Sequence, residues 1–253
     1  MLLTALWLLA IILENVVLIR AIRGKLLRHY AFFYLYVLMV LLRDLSLLPV
    51  YYLWPKFYGF AYWSTEFSCV LAGCALVWEV YKVAFARYPG SARMARNVLP
   101  FLFVFAITRV FVEAWNSTNW IPWRRALETE RDLRIVQTAL LTGLVALFAY
   151  YAIPLGRNLK GIIYGYGLFL ATSAANLSLR GYLGDSFQRW AQYIQAVSYL
   201  LALTLWCSAL WRYAQVPESG LEPRLEVDYQ SLFLTTRKKL SWARAHLLRG
   251  IRL

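Results

Sequence analysis

Long apolar runs broken by short polar segments dominate this chain, and their lengths set the expected architecture. A helix crosses the hydrocarbon core of a bilayer with roughly 20 apolar residues, at about 1.5 Å of rise per residue. Reading for such runs predicts seven spans, at about Leu2–Ile22, Tyr30–Leu53, Phe60–Phe85, Val98–Trp115, Leu133–Ile153, Leu159–Leu179 and Gln188–Trp211. The fourth is the shortest and starts near Pro100; the fifth ends before Pro154. The expected fold is all-α, a polytopic membrane bundle of seven transmembrane helices over residues 1–212, followed by a tail over 213–253. The tail opens as an acidic loop with Glu218, Glu222, Glu226 and Asp228. From Thr235 it becomes amphipathic, with Leu240, Ala243, Leu247 and Ile251 on one face and Arg237, Lys238, Arg244 and Arg249 largely off it. A basic helix lying on anionic lipid at the inner leaflet is the expectation.

Composition agrees with the run lengths. Of 253 residues, 61% are hydrophobic and 16% charged, against about 25% charged in an average soluble domain. That balance excludes a soluble globule and a disordered chain. The net charge of +14 would point to nucleic acid in a soluble protein. In a chain of spans it points to loops that face anionic lipid, so the bilayer and not nucleic acid is the expected partner.

The distribution of that charge gives an orientation. Arg20, Arg23, Lys25 and Arg28 follow the first span; Lys82, Arg87, Arg93 and Arg96 follow the third; Arg157 and Lys160 follow the fifth; and the tail is the most basic segment of all. The opposite side holds Lys56, Arg124, Arg125, Arg131, Arg134, Arg180 and Arg189, several of them interleaved with Glu128, Glu130 and Asp132. By the positive-inside rule the N-terminus is outside and the C-terminus cytoplasmic, as seven spans require. The expected location is a cell membrane, multi-pass, of the bacterial cytoplasmic kind. The first run has no basic segment before it and no small-x-small cleavage pattern before Arg20, so it is expected to remain as a helix. Trp54, Trp63, Trp115, Trp120, Trp123 and Trp190 gather at the expected outer ends, as an interfacial belt does.

Little catalytic or ligating chemistry is present. Cys69, Cys74 and Cys207 lie in apolar runs and read as small core residues, while His29 and His246 lie in basic polar segments. No metal or cofactor is expected from that set. Gly-x-Ser-x-Gly, His-Glu-x-x-His and phosphate-cradling glycine loops are absent, which points away from an enzyme. Lysines stand at 25, 56, 82, 160, 238 and 239, none of them in the last span, so a retinal Schiff base has no site. The layout is similar to the seven-helix input modules of bacterial sensors.

Charged residues inside the spans are the candidate site. Each costs about 2.5–3.5 kcal/mol on insertion scales, so they mark bundle interiors or function. Arg43 and Asp44 on the second span, Glu66 on the third, and Arg109 and Glu113 on the fourth all fall in the outer half. Asp44 or Glu66 is expected to pair with Arg109, and Arg43 with a carboxylate or an exogenous anion. Cross-helix pairs are favoured over the adjacent Arg43 and Asp44, which point about 100° apart on a helix. Gln188, Gln192, Gln195 and Tyr199 follow one face of the seventh span, and Gln137, Thr138 and Asn176 lie at similar depth. Together they predict a polar pocket in the outward half, formed by Arg43, Asp44, Glu66, Arg109, Glu113, Gln192 and Gln195. Glu14 is a further intramembrane charge, just past the midplane toward the cytoplasm. Two functions fit. One is a sensory or scaffolding module that binds a small ligand or a membrane-protein partner. The other is a small-solute or ion-coupled transporter using Glu14, Asp44 and Glu66. Gly161-x-x-x-Gly165, followed by Gly167, is expected to pack the sixth span closely against a neighbour.

Overall fold

A computed structural model describes residues 2–24, 26–85, 108, 122–150, 153, 155–183, 185–212, 231 and 234. The expected fourth span, with Arg109 and Glu113, and the expected amphipathic tail helix lie outside these residues. Six long helices are described: α1 (Leu2–Arg23), α2 (Ala31–Leu53), α3 (Tyr58–Ala84), α4 (Pro122–Tyr150), α5 (Arg157–Leu183) and α6 (Asp185–Ala209). Two 3-10 turns, Leu26–Arg28 and Pro55–Phe57, carry the connections from α1 to α2 and from α2 to α3. The described residues contain no strand.

Five helical segments are long and apolar enough to cross a membrane: Leu2–Arg23, Ala31–Leu53, Pro55–Ala84, Glu130–Tyr150 and Arg157–Arg180. By length and composition the chain is a multi-pass integral membrane protein. They match the first, second, third, fifth and sixth expected spans. The seventh expected span forms a helix, α6, but is not among those five. Gln188, Arg189, Gln192 and Gln195 place too many polar groups in its first half.

The helices close into a ring. Each packs against the next in sequence, and α6 returns to α1. Apolar side chains face outward, with Leu42 and Leu45 exposed on either side of the buried Asp44. This reverses the arrangement of a soluble globule and suits a lipid surround. The ring also fixes directions. Arg43 meets Glu66 and the N-terminal turn of α2 meets Glu79 near the end of α3, so α2 and α3 are antiparallel. Asn176 reaches Ala191 and Asn158 reaches Ala209, so α5 and α6 are antiparallel as well. By contrast α3 and α4 run parallel: Glu66 meets Arg134, Cys74 meets Gln137, and the Phe85 ring lies 5.6 Å from that of Phe148. α1 and α6 are parallel too, through Glu14 with Tyr199 and Arg20 with Trp211.

Specific residues hold these contacts. Glu79 accepts hydrogen bonds from the backbone N–H groups of Phe32 (3.1 Å) and Phe33 (2.8 Å). A carboxylate from α3 thereby satisfies orphan donors at the N-terminus of α2, where the helix dipole also favours negative charge. The structure thus gives Glu79 a capping role. Gly161 and Gly165 let α6 approach α5 closely: a Cβ at Gly161 would meet Ala209, and one at Gly165 the indole of Trp206. The expected close packing is present, and α6 is the partner. Gly167 makes only ordinary contact with Leu141. Trp206 is fully buried, packs edge-on against Phe33 (ring centroids 5.1 Å apart) and donates from Nε1 to the Ile162 carbonyl at 3.4 Å. Tyr36 and Tyr166, 5.3 Å apart, complete an aromatic core drawn from α2, α5 and α6.

Candidate functional site

A chain of ion pairs runs through the bundle toward the end that carries the α2–α3 connection. Arg43 donates from Nε to Asp44 Oδ1 at 2.8 Å and from Nη1 to Glu66 Oε2 at 2.6 Å. Glu66 takes a second guanidinium on its other oxygen, from Arg134 Nη2 at 2.5 Å. The same Arg134 nitrogen lies 3.6 Å from Glu130 Oε1, one helical turn back on α4. Asp44, Glu66 and Arg134 are buried. Three helices thus contribute five charged groups, with Glu66 at the centre because both its oxygens are engaged. Two guanidinium groups face three carboxylates, so the network holds one more carboxylate than cation.

The α4 members of this network were not legible in the sequence. Arg134 stood near the head of an apolar run, beside Arg131 and Asp132, and was counted among loop cations. The structure corrects this: Arg134 is 3% exposed and its guanidinium lies 5.1 Å from the centre of the Phe169 ring. The usable signal was its spacing, four residues after Glu130 and three before Gln137, which puts all three on one helix face. The adjacent pair Arg43 and Asp44 also bond directly, alongside the favoured cross-helix pairing of Arg43 with Glu66. Four methylene and amine links let arginine fold back over its neighbour while Nη1 reaches across to α3. Arg43 does find carboxylates, as expected. The expected role of Arg109 and Glu113 lies outside the described residues.

A polar layer surrounds the ion pairs. Gln137 is fully buried on α4 and donates to the Val70 carbonyl at 2.8 Å and to Cys74 Sγ at 3.1 Å. Tyr166 on α5 donates to Gln137 Oε1 at 3.4 Å. Gly73 is what permits this meeting, since a Cβ there would collide with the Tyr166 hydroxyl. The face of α6 behaves less uniformly than its spacing implied. Tyr199 donates to Glu14 Oε1 at 2.7 Å and ties α6 to α1. Gln195 lies 3.4 Å from Asn176, which also donates to the Ala191 carbonyl at 2.8 Å. Gln192 is exposed. Gln195 therefore serves the α5–α6 contact, and Gln192 is not drawn into the interior with it. Glu14 is fully buried, and among the described residues its second oxygen has no hydrogen-bond partner.

No group of three or more His, Cys, Asp or Glu side chains able to hold a metal is present among the described residues. The arrangement is instead a buried network of ion pairs that joins α2, α3 and α4. Fold and site together define the class, a multi-pass helical membrane protein with an ion-pair network linking three of its helices. Comparison with family models, with curated proteins and with solved structures returns no match, so the class rests on the chain's own chemistry.

Proposed function

We propose that this chain is a seven-span membrane sensory or scaffolding module, with its N-terminus outside and its C-terminus cytoplasmic. In this reading a polar pocket in the outward half binds a small ligand or a helix of a membrane-protein partner. Arg43, Asp44 and Glu66 form its floor together with Arg134 and Glu130, and Arg109 and Glu113 join it from the fourth span. The cell membrane, of the bacterial cytoplasmic kind, is its place of work. One observation carries the proposal. The ion-pair network sits at the α2–α3 end, and the space toward the other end is filled by the fully buried Phe33, Tyr36, Tyr166 and Trp206. A buried charged site near one end, with aromatic rings filling the space toward the other, suits recognition more than passage. An excess carboxylate where three helices meet is also a natural place for a bound cation or donor to shift helix packing.

The count of seven is supported by the parallel pair α3 and α4. Both run in the same sense, as an odd number of crossings between Phe85 and Pro122 would have it. The apolar run Val98–Trp115 in that stretch has the composition expected of one crossing. The parallel pair α1 and α6 has the same parity. Reporter fusions are expected to read cytoplasm after Lys25, Arg93 and Leu253, and exterior after Asn119. A cytoplasmic reading at Asn119 removes the fourth span and with it the orientation of the site.

Transport is the second reading, and Glu14 favours it. Its carboxyl lies deeper than the network, at the α1–α6 contact, with one oxygen unpartnered among the described residues. Carboxylates at two depths are what an ion relay uses. Liposomes containing the purified protein separate the two. The sensory reading expects an imposed proton or solute gradient to decay no faster than in protein-free liposomes. Protein-dependent decay that Glu14→Gln abolishes would establish the transporter instead.

A further inference from the structure

The opposite end of the bundle, where α1 and α6 finish and α5 begins, carries a second constellation that the ion-pair network does not use. Arg20 donates from Nη2 to the Trp211 carbonyl at 2.7 Å, and its guanidinium carbon lies 4.0 Å from the centre of the Trp211 ring. Arg157 donates from Nη2 to the Ser208 carbonyl at 3.3 Å. Asn158 donates to the carbonyls of Ala209 and Arg212, at 3.2 and 2.9 Å. Three residues from two other helices thus hold carbonyls at and just past the end of α6: those of Ser208 and Ala209, which have no partner within the helix, and those of Trp211 and Arg212 that follow it. Arg157, Trp211 and Arg212 are exposed.

Capping does not exhaust these side chains. A guanidinium carries five N–H donors in a fixed fork, and each carbonyl bond described here uses one. Arg20 Nε is buried with no partner among the described residues. The two arginines are pinned three residues apart on the same helix end, so little side-chain entropy is left to lose on binding a shared acceptor. Among the described residues the carboxylate at this end, Glu79, is buried and already engaged with the backbone of α2. An exposed indole beside paired arginines at the end of a span is the chemistry of the headgroup layer.

We propose that the junction of α1, α5 and α6 binds the phosphate of an anionic phospholipid headgroup. The phosphate sits between Arg20 and Arg157, with Arg212 beside it and Trp211 against the glycerol region. Bidentate guanidinium–phosphate bonds hold it in place. This site is distinct from the basic tail, and it rests on the multi-pass reading with this end at the cytoplasmic leaflet.

The test uses the full-length protein in a neutral detergent. Phosphatidylglycerol and phosphatidylcholine are titrated while bound lipid is counted by native mass spectrometry and the thermal midpoint is followed. Phosphatidylglycerol is expected to bind at least about tenfold more tightly than phosphatidylcholine. The pair Arg20→Gln with Arg157→Gln is expected to remove about that tenfold preference. The pair Arg28→Gln with Lys82→Gln removes the same charge elsewhere at this end and is expected to change it by less than about twofold. Because Arg20 also ties α1 to α6, Arg157→Gln alone is the safeguard against a folding defect, with an expected loss of about threefold. Equal losses in the two pairs, or no preference for the anionic lipid, overturn the proposal. Equal stabilisation by inorganic phosphate overturns it too, by making the occupant a soluble anion. An inverted topology appears separately, as an exterior reading from a reporter after Lys25, and leaves the lipid preference intact.

Discussion

Glu66→Leu is expected to cost about 3–5 kcal/mol of stability, the scale for removing one partner from a buried ion pair. Glu66 is the only carboxylate in the described network that engages two guanidinium groups, Arg43 at 2.6 Å and Arg134 at 2.5 Å. Its removal leaves Arg43 with Asp44 alone and leaves Arg134 with only the longer contact to Glu130. Arg134 suffers more, because it is almost completely buried and its Nε already has no partner among the described residues. The loss is expected to be largely reversed in the double variant Glu66→Leu with Arg134→Met. That pair removes the stranded charge along with its partner and fills the space with apolar groups. Unfolding of the purified protein in mixed micelles, followed by helical circular dichroism, measures both. A single variant within about 1 kcal/mol of the parent would match an exposed, screened pair and would mean that the network does not join α2, α3 and α4.

Trp206→Ala is expected to cost a similar amount, about 3–5 kcal/mol, by a different mechanism. Trp206 fills the centre of the aromatic core, with Phe33 at 5.1 Å, Tyr36 at 6.3 Å and Tyr199 at 6.4 Å between ring centroids. It also rests on Gly165, where nothing larger fits beneath the indole. Truncation leaves a cavity on three helices and strands the Ile162 carbonyl that the indole N–H serves. Trp206→Phe is expected to recover part of the loss, since it restores ring packing but not the hydrogen bond or the full volume. Trp190→Ala, at an exposed position, is the internal comparison and is expected to change stability by less than about 0.5 kcal/mol. The same micelle unfolding experiment reads all three. Equal effects at Trp190 and Trp206 would contradict the core described here.

Sequence alone determined the parts of this protein that follow from distance along the chain. Run length fixed α1, α2, α3, α4 and α5 to within a few residues at the ends where apolar composition stops abruptly, as at Gly24 and Leu53. It overran least where a turn residue intervened and failed most at the head of α4, where Pro122–Leu133 is helical yet polar. Depth was equally legible: residues a known rise apart on neighbouring helices, such as Arg43 and Glu66, had to lie at similar heights. Small residues at helical spacing announced the close approach at Gly161 and Gly165.

Only the tertiary structure decided rotation about each helix axis and the order of helices around the ring. Those two unknowns control every pairing. They bring Arg134 inward to Glu66, turn Gln195 toward Asn176 while Gln192 stays exposed, and set Glu14 against Tyr199 across 185 residues of chain. They also turn Glu79 into the cap of α2 and set three side chains on the carbonyls at and just past the end of α6. The physical reason is that insertion energy depends on how apolar a segment is and how long, both of which are local sums over the sequence. Which faces meet depends on packing and hydrogen bonding between helices after insertion. Those terms are decided by pairs of residues far apart in the chain, and no local pattern carries them.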